Sequence, residues 1–170
     1  MEATTVKLYS LGAKSYKTYL FATLFVAGNI ILPQLFHLTD LGGRMFLPIY
    51  FFTLIAAYKY GWKVGLITAI MSPLVNSALF GMPMAAFLPI IITKSVLLAL
   101  FAGLFAHHFK NVTILLLTGV VLSYQVAGTL IEWAIVGDFV MATSDFRIGV
   151  PGMLLQIFGG YLFIKHLIKN

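Results

Sequence analysis

Cysteine is absent from this chain, which excludes disulfides, thiolate catalysis and cysteine metal sites. Charge is almost as scarce. Only 9% of residues are charged and just five are Asp or Glu, whereas soluble domains carry about 25% charged residues. No G-x-x-x-x-G-K-[ST] occurs, so the chain holds no P-loop for ATP. No G-x-S-x-G marks a nucleophile elbow, and no H-E-x-x-H or His/Asp cluster marks a metal site. Paired aspartates for magnesium are missing too. The expectation is therefore a protein that is not an enzyme and needs neither metal nor cofactor.

What fills the chain is apolar. Of its 170 residues, 61% are hydrophobic. The solvent this implies is a bilayer, and the expected protein is integral to the membrane. Lipid cannot satisfy backbone polar groups, and the period-two alternation of a barrel strand is missing, so the spans are expected to be helices. Six apolar stretches read as helices at 18–36, 44–60, 62–80, 85–109, 112–136 and 148–168. A span needs about 20 residues. The second and third are shorter and meet in a tight turn at Tyr60-Gly61. One six-helix domain, 1–170, is expected, with a short polar N-terminal segment 1–17. For a signal peptide that polar region is long, and the apolar run following it has no small-residue cleavage pattern, so a cleavable signal is not expected.

Lysine placement predicts the orientation. The chain has eleven Lys and Arg, and all except Arg44, Lys94 and Arg147 fall on one side of this topology. The positive-inside rule puts that side, and both termini, in the cytoplasm. The net charge of +6 thus reads as orientation and lipid contact, not as nucleic-acid binding. Connections 37–43, 81–84 and 137–147 then face outward.

Lys94 and Glu132 lie inside the fourth and fifth predicted helices. An intramembrane ionisable residue is expensive and marks a functional site by default. Counting rise per residue, Glu132 is about 8 Å and Lys94 about 14 Å inside the outer helix ends. The lysine stem can span that difference. Gln125 shares a face with Glu132, and Asn76, Asn29, Gln156 and Arg44 fall at similar outer depth, with Trp133 beside Glu132. Polar residues thus gather in the outer half and thin out in the inner half, as for a pocket open to one side. Two readings stand side by side. In one, Lys94 and Glu132 merely pair and the amides join helices. In the other, they bind a ligand whose carboxylate or phosphate replaces Glu132 on the ammonium. Small residues recur at four-residue spacing, including Gly61, Gly65 and Ala69, and Gly119, Ser123 and Ala127, the pattern of close helix packing. Thr23 and Ala27 on the first helix are a similar pair that suits a partner.

Residues 47–83 read LPIYFFTLIAAYKYGWKVGLITAIMSPLVNSALFGMP. With Leu47-Pro48, Tyr60-Gly61 and Gly65, Ser72-Pro73-Leu74 and Phe80-Gly81-Met82-Pro83, this resembles the middle of the S components of energy-coupling-factor (ECF) vitamin transporters. The resemblance implies a six-helix subunit of a prokaryotic inner membrane that captures a vitamin-like ligand at its outer face. It implies, as partners, a transmembrane coupling protein and two ATPase subunits. Outer connections would act as gates, and Thr23 and Ala27 would stand where relatives carry an alanine pair against the coupling protein. A different class stays open: a small oligomeric transporter with Glu132 as proton carrier. An intramembrane enzyme ranks behind both.

Overall fold

The computed structural model describes residues 7–36 and 45–167. Arg44 and the expected connection 37–43 lie outside these residues. Helix α1 spans Tyr16–Phe36. A 3₁₀ turn, Pro48–Tyr50, leads into α2, Phe51–Tyr60. Helix α3 is Trp62–Phe80, α4 is Leu88–Phe109 and α5 is Ile114–Val136. Then come two short helices, α6 at Phe139–Ala142 and α7 at Ser144–Ile148. The last run starts as α8, Val150–Leu154, and continues to residue 167 through two π-helical stretches, Leu155–Gly159 and Phe163–Leu167. The described residues contain no strand. Four helices are long and apolar enough to cross a membrane, and a fifth span arises if the run 139–166, bent by 53°, counts as one. The protein is thus an all-helical, multi-pass membrane-type bundle.

The second expected span differs most from its reading. Its apolar stretch forms only the ten-residue α2 behind the 3₁₀ turn, about 15 Å of α-helix. Nine of the ten α2 residues are buried, so α2 is the central rod against which the other helices pack. Hydropathy cannot tell a lipid-facing helix from a protein-buried one, because both are apolar all round. The outer helices show the complementary pattern. Leu20, Leu24 and Ile31 of α1, Leu104 of α4, and Leu115 and Leu130 of α5 face outward. Apolar residues inside and outside together fit lipid as the surroundings.

Small residues set the helix spacing. A Cβ on Gly65 would collide with Ala57, and one on Gly103 would reach 2.5 Å from the Trp62 Cβ. Backbones of α3 with α2, and of α4 with α3, therefore meet at these points. The tight turn at Tyr60-Gly61 is present, and Gly61 takes φ +106° there, a value that suits glycine alone. At that end of the bundle the N-terminal segment is tied down. The Tyr9 amide donates to the Lys59 carbonyl at 2.7 Å and the Leu11 amide to the Tyr60 carbonyl at 3.1 Å. The Tyr58 hydroxyl donates to the Asn111 carbonyl at 2.6 Å, linking the α2 end to the α4–α5 connection. Lys7 and Lys59 both lie over the Tyr9 ring, so basic residues gather at this end.

Candidate functional site

Two polar clusters sit inside the bundle. The first is built around Asn29. Pro33 has no N–H, so it leaves the Asn29 carbonyl without its helical partner. Asn76 Nδ2 fills the gap, donating to that carbonyl at 2.9 Å and to the Ser72 carbonyl at 3.0 Å. The Asn29 side chain works in the other direction. Its Nδ2 donates to Thr53 Oγ1 at 3.1 Å and Ser72 Oγ at 3.0 Å, and its Oδ1 accepts from the Phe52 amide at 3.1 Å. Phe52 lies in the first turn of α2, where amides have no intrahelical acceptor. Asn29 therefore caps α2 from a neighbouring helix and joins α1, α2 and α3. Of this cluster only Asn76 Oδ1 lacks a partner.

The second cluster is charged. Lys94 of α4 is buried, with its side chain 1% exposed, and its ammonium meets two carboxylates. Glu132 Oε2 of α5 lies at 2.5 Å, without hydrogen-bond alignment. Asp145 Oδ2 of α7 accepts a hydrogen bond at 2.6 Å. The Glu132 side chain is 11% exposed and that of Asp145 is 27% exposed, so the cluster reaches the surface on the Asp145 side. Gly128 makes room for the lysine: a Cβ there would stand 2.7 Å from Lys94 Cγ. The α5 face around Gly128 thus lines the Lys94 stem. That face carries Gln125, Thr129 and Glu132, residues that recur once per turn.

Most of the polar atoms along this face have no partner. Both amide atoms of Gln125, the Thr129 hydroxyl and the neighbouring Ser95 hydroxyl of α4 are buried and make no hydrogen bond. Gln156 accepts from the Tyr124 hydroxyl at 3.1 Å, but its Nε2 is unpartnered. Gln156 lies in the first π-helical stretch, a geometry often found at functional sites. The Tyr124 ring lies 5.8 Å from that of Tyr50. A buried polar atom without a partner costs about 1–3 kcal/mol, so the protein's own groups leave this concentration chemically costly.

The residues singled out from sequence therefore divide. Lys94, Glu132, Gln125 and Gln156 belong to the charged cluster. Asn29 and Asn76 belong to the structural one. Trp133 belongs to neither: it is 44% exposed and packs edge-on against Phe139 at 5.4 Å between ring centroids. Successive helical residues point about 100° apart, so turning Glu132 inward turns Trp133 to the outer flank. Thr23 and Ala27 are exposed on α1, and Thr23 lines a shallow groove with Tyr19, Val26, Ile67 and Met71. Asp145 is the residue that sequence reasoning missed. It lies in 137–147, expected as a connection but folded into α6 and α7. Its one signal was scarcity, since the chain has only five acidic residues. Asp145 also alters the expected electrostatics. Lys94 is paired with two carboxylates where the sequence suggested one.

Compared with protein-family models, curated proteins and solved structures, the chain matches none.

Proposed function

We propose that this chain is the substrate-binding S component of an ECF-type importer, capturing a vitamin-like small molecule without transforming it. The observation that carries the proposal is the Lys94–Glu132–Asp145 cluster with its fringe of unpartnered buried polar atoms. Register between helices needs no such arrangement, as the nearly satisfied Asn29 cluster demonstrates, and buried ion pairs are weak stabilisers. Polar groups left open at this density suit a ligand that completes them. The motif resemblance across residues 47–83 and the multi-pass helical bundle support the same assignment. On this reading the bundle crosses a prokaryotic inner membrane six times, with both termini and the basic end in the cytoplasm. The exposed Thr23–Ala27 face of α1 docks on the coupling protein, and two ATPase subunits supply the energy.

A second reading rests on one observation. Two carboxylates sharing one ammonium can exchange a proton, which suits a small proton-coupled transporter using Glu132. The two part on energy source. Uptake of the ligand that co-purifies with the chain, identified by mass spectrometry, is to be measured in cells carrying the chain and the coupling subunits. The importer requires intact ATPases and persists when the proton gradient is collapsed. Uptake that stops with the gradient and ignores the ATPases rejects the importer.

A further inference from the structure

We propose that the Lys94–Glu132–Asp145 cluster binds a small organic cation that also carries hydrogen-bonding groups. This rests on the preceding reading of the chain as a small-molecule binder and names the class of molecule.

The first argument is charge. One ammonium faces two carboxylates, so the cluster carries a formal charge of about −1 when all three groups are ionised. Among the described residues no second cation reaches either carboxylate. Arg147, two residues from Asp145, turns away, its Nη2 donating to the Val140 carbonyl at 2.9 Å. A carboxylate at the edge of a low-dielectric interior is costly without a counter-charge of its own, and a ligand bearing one positive charge supplies one. An anion would instead meet two carboxylates and find the ammonium already occupied.

The second argument separates an organic cation from a proton or an alkali ion. A proton balances the charge but satisfies none of the free amide and hydroxyl groups. An alkali ion can take oxygens of Gln125, Thr129 and Ser95 but leaves the Gln125 and Gln156 amide N–H groups unused. An organic cation with acceptor atoms serves both needs. The third argument is aromatic. The rings of Tyr50 and Tyr124 are buried and tilted at 54° to each other, Tyr124 bonds Gln156 and is the neighbour in sequence of Gln125, and a ring face attracts cations.

The test uses the purified full chain in detergent and two probes of opposite charge that each carry an amide acceptor, 4-carbamoylbenzamidinium and 4-carbamoylbenzoate, written below as benzamidinium and benzoate. Binding is read by calorimetry and by the shift in unfolding temperature. The expected result is stabilisation by benzamidinium and none by benzoate. Asp145→Asn should weaken benzamidinium by about thirtyfold or more, as for loss of one partner of a desolvated charge pair, and Asp145→Glu should restore part of the loss. Preferential binding of benzoate, binding of neither probe, or an Asp145→Asn protein that keeps benzamidinium affinity within about twofold overturns the proposal. Stabilisation by protons or sodium ions alone, with benzamidinium inert, also overturns it. The importer reading fails by different observations. ATPase-dependent uptake of an anion would sink the cation and keep the importer. Cation binding with uptake driven by the proton gradient would do the reverse.

Discussion

The Asn29 cluster and the Lys94 cluster lie in one bundle, yet they are built on opposite rules. Around Asn29 nearly every donor meets an acceptor, and the helix amides and carbonyls left open by Pro33 and by the start of α2 are filled by neighbouring side chains. Around Lys94 two carboxylates meet one ammonium among the described residues, and hydroxyl and amide atoms are left without partners. A polar network that is complete makes a fold specific. One that is incomplete holds buried groups that cost free energy until something pairs with them. On the reading proposed above, that difference marks the Lys94 cluster, and not polarity in general, as the binding site.

The strongest way to break this comparison is to unbalance the charged cluster further. Lys94→Met leaves the buried Glu132 and the partly exposed Asp145 without their shared ammonium, and removing one partner of a buried ion pair costs about 3–5 kcal/mol. Thermal unfolding in detergent should show that loss. The triple variant Lys94→Met, Glu132→Gln, Asp145→Asn should recover most of it, since no charge is then left unpaired. A triple variant as unstable as Lys94→Met would mean that the lysine stem, packed on Gly128, matters more than its charge.

Asn29→Leu should come next. It leaves the Phe52 amide, Thr53 and Ser72 without their shared partner, and a loss of about 2–3 kcal/mol is expected for newly orphaned buried groups. The same measurement made with benzamidinium sharpens the contrast. The folded Asn29→Leu protein should bind the probe as the wild type does, whereas Asp145→Asn should lose the probe with little change in stability. Equal loss of binding in both would merge the two clusters into one site.

Much of this contrast was readable in the sequence, but unevenly. Apolar run length located α1, α3, α4 and α5 to within three residues at their starts and matched their ends, because the length of an apolar helix is the signal a membrane span leaves. Lys94 and Glu132 were visible because ionisable residues are conspicuous in such runs. The role of Asn29 was not, since its depth equals that of a ligand-binding residue. Only the joint geometry of Pro33, Asn76 and Phe52 reveals it as a cap. Asp145 escaped because polar residues are unremarked in a connection, and what matters is the fold of α6 and α7 that carries it back to Lys94. The burial of α2 was hidden because its sequence satisfies lipid and protein surroundings equally.

Gln125 gives a smaller effect with an opposite sign. Both of its amide atoms are buried without partners, so Gln125→Leu should raise the unfolding free energy of the empty protein by about 1 kcal/mol. Binding of benzamidinium should weaken at the same time. A residue whose removal stabilises the fold while damaging binding is held there for the ligand. Destabilisation by Gln125→Leu would instead place Gln125 with Asn29 as part of the framework.

The smallest effect on the isolated chain is expected outside both clusters, on the exposed α1 face. Ala27 is exposed and Thr23 lines the shallow groove with Ile67 and Met71, so nothing internal depends on a small side chain at position 27. Ala27→Trp should therefore change stability by no more than about 0.5 kcal/mol, the usual range for surface substitutions, and should leave benzamidinium binding as it was. Its consequence should appear only when a second protein must approach α1. A bulky indole there should weaken recovery of the coupling protein in a pull-down, while Leu115→Trp, at an exposed α5 position, should not. If the Ala27 variant assembles as well as wild type, α1 is a lipid face and the partner docks elsewhere. If it loses benzamidinium as well, the α1 surface is coupled to the Lys94 cluster, and the two regions are less independent than their hydrogen bonding implies.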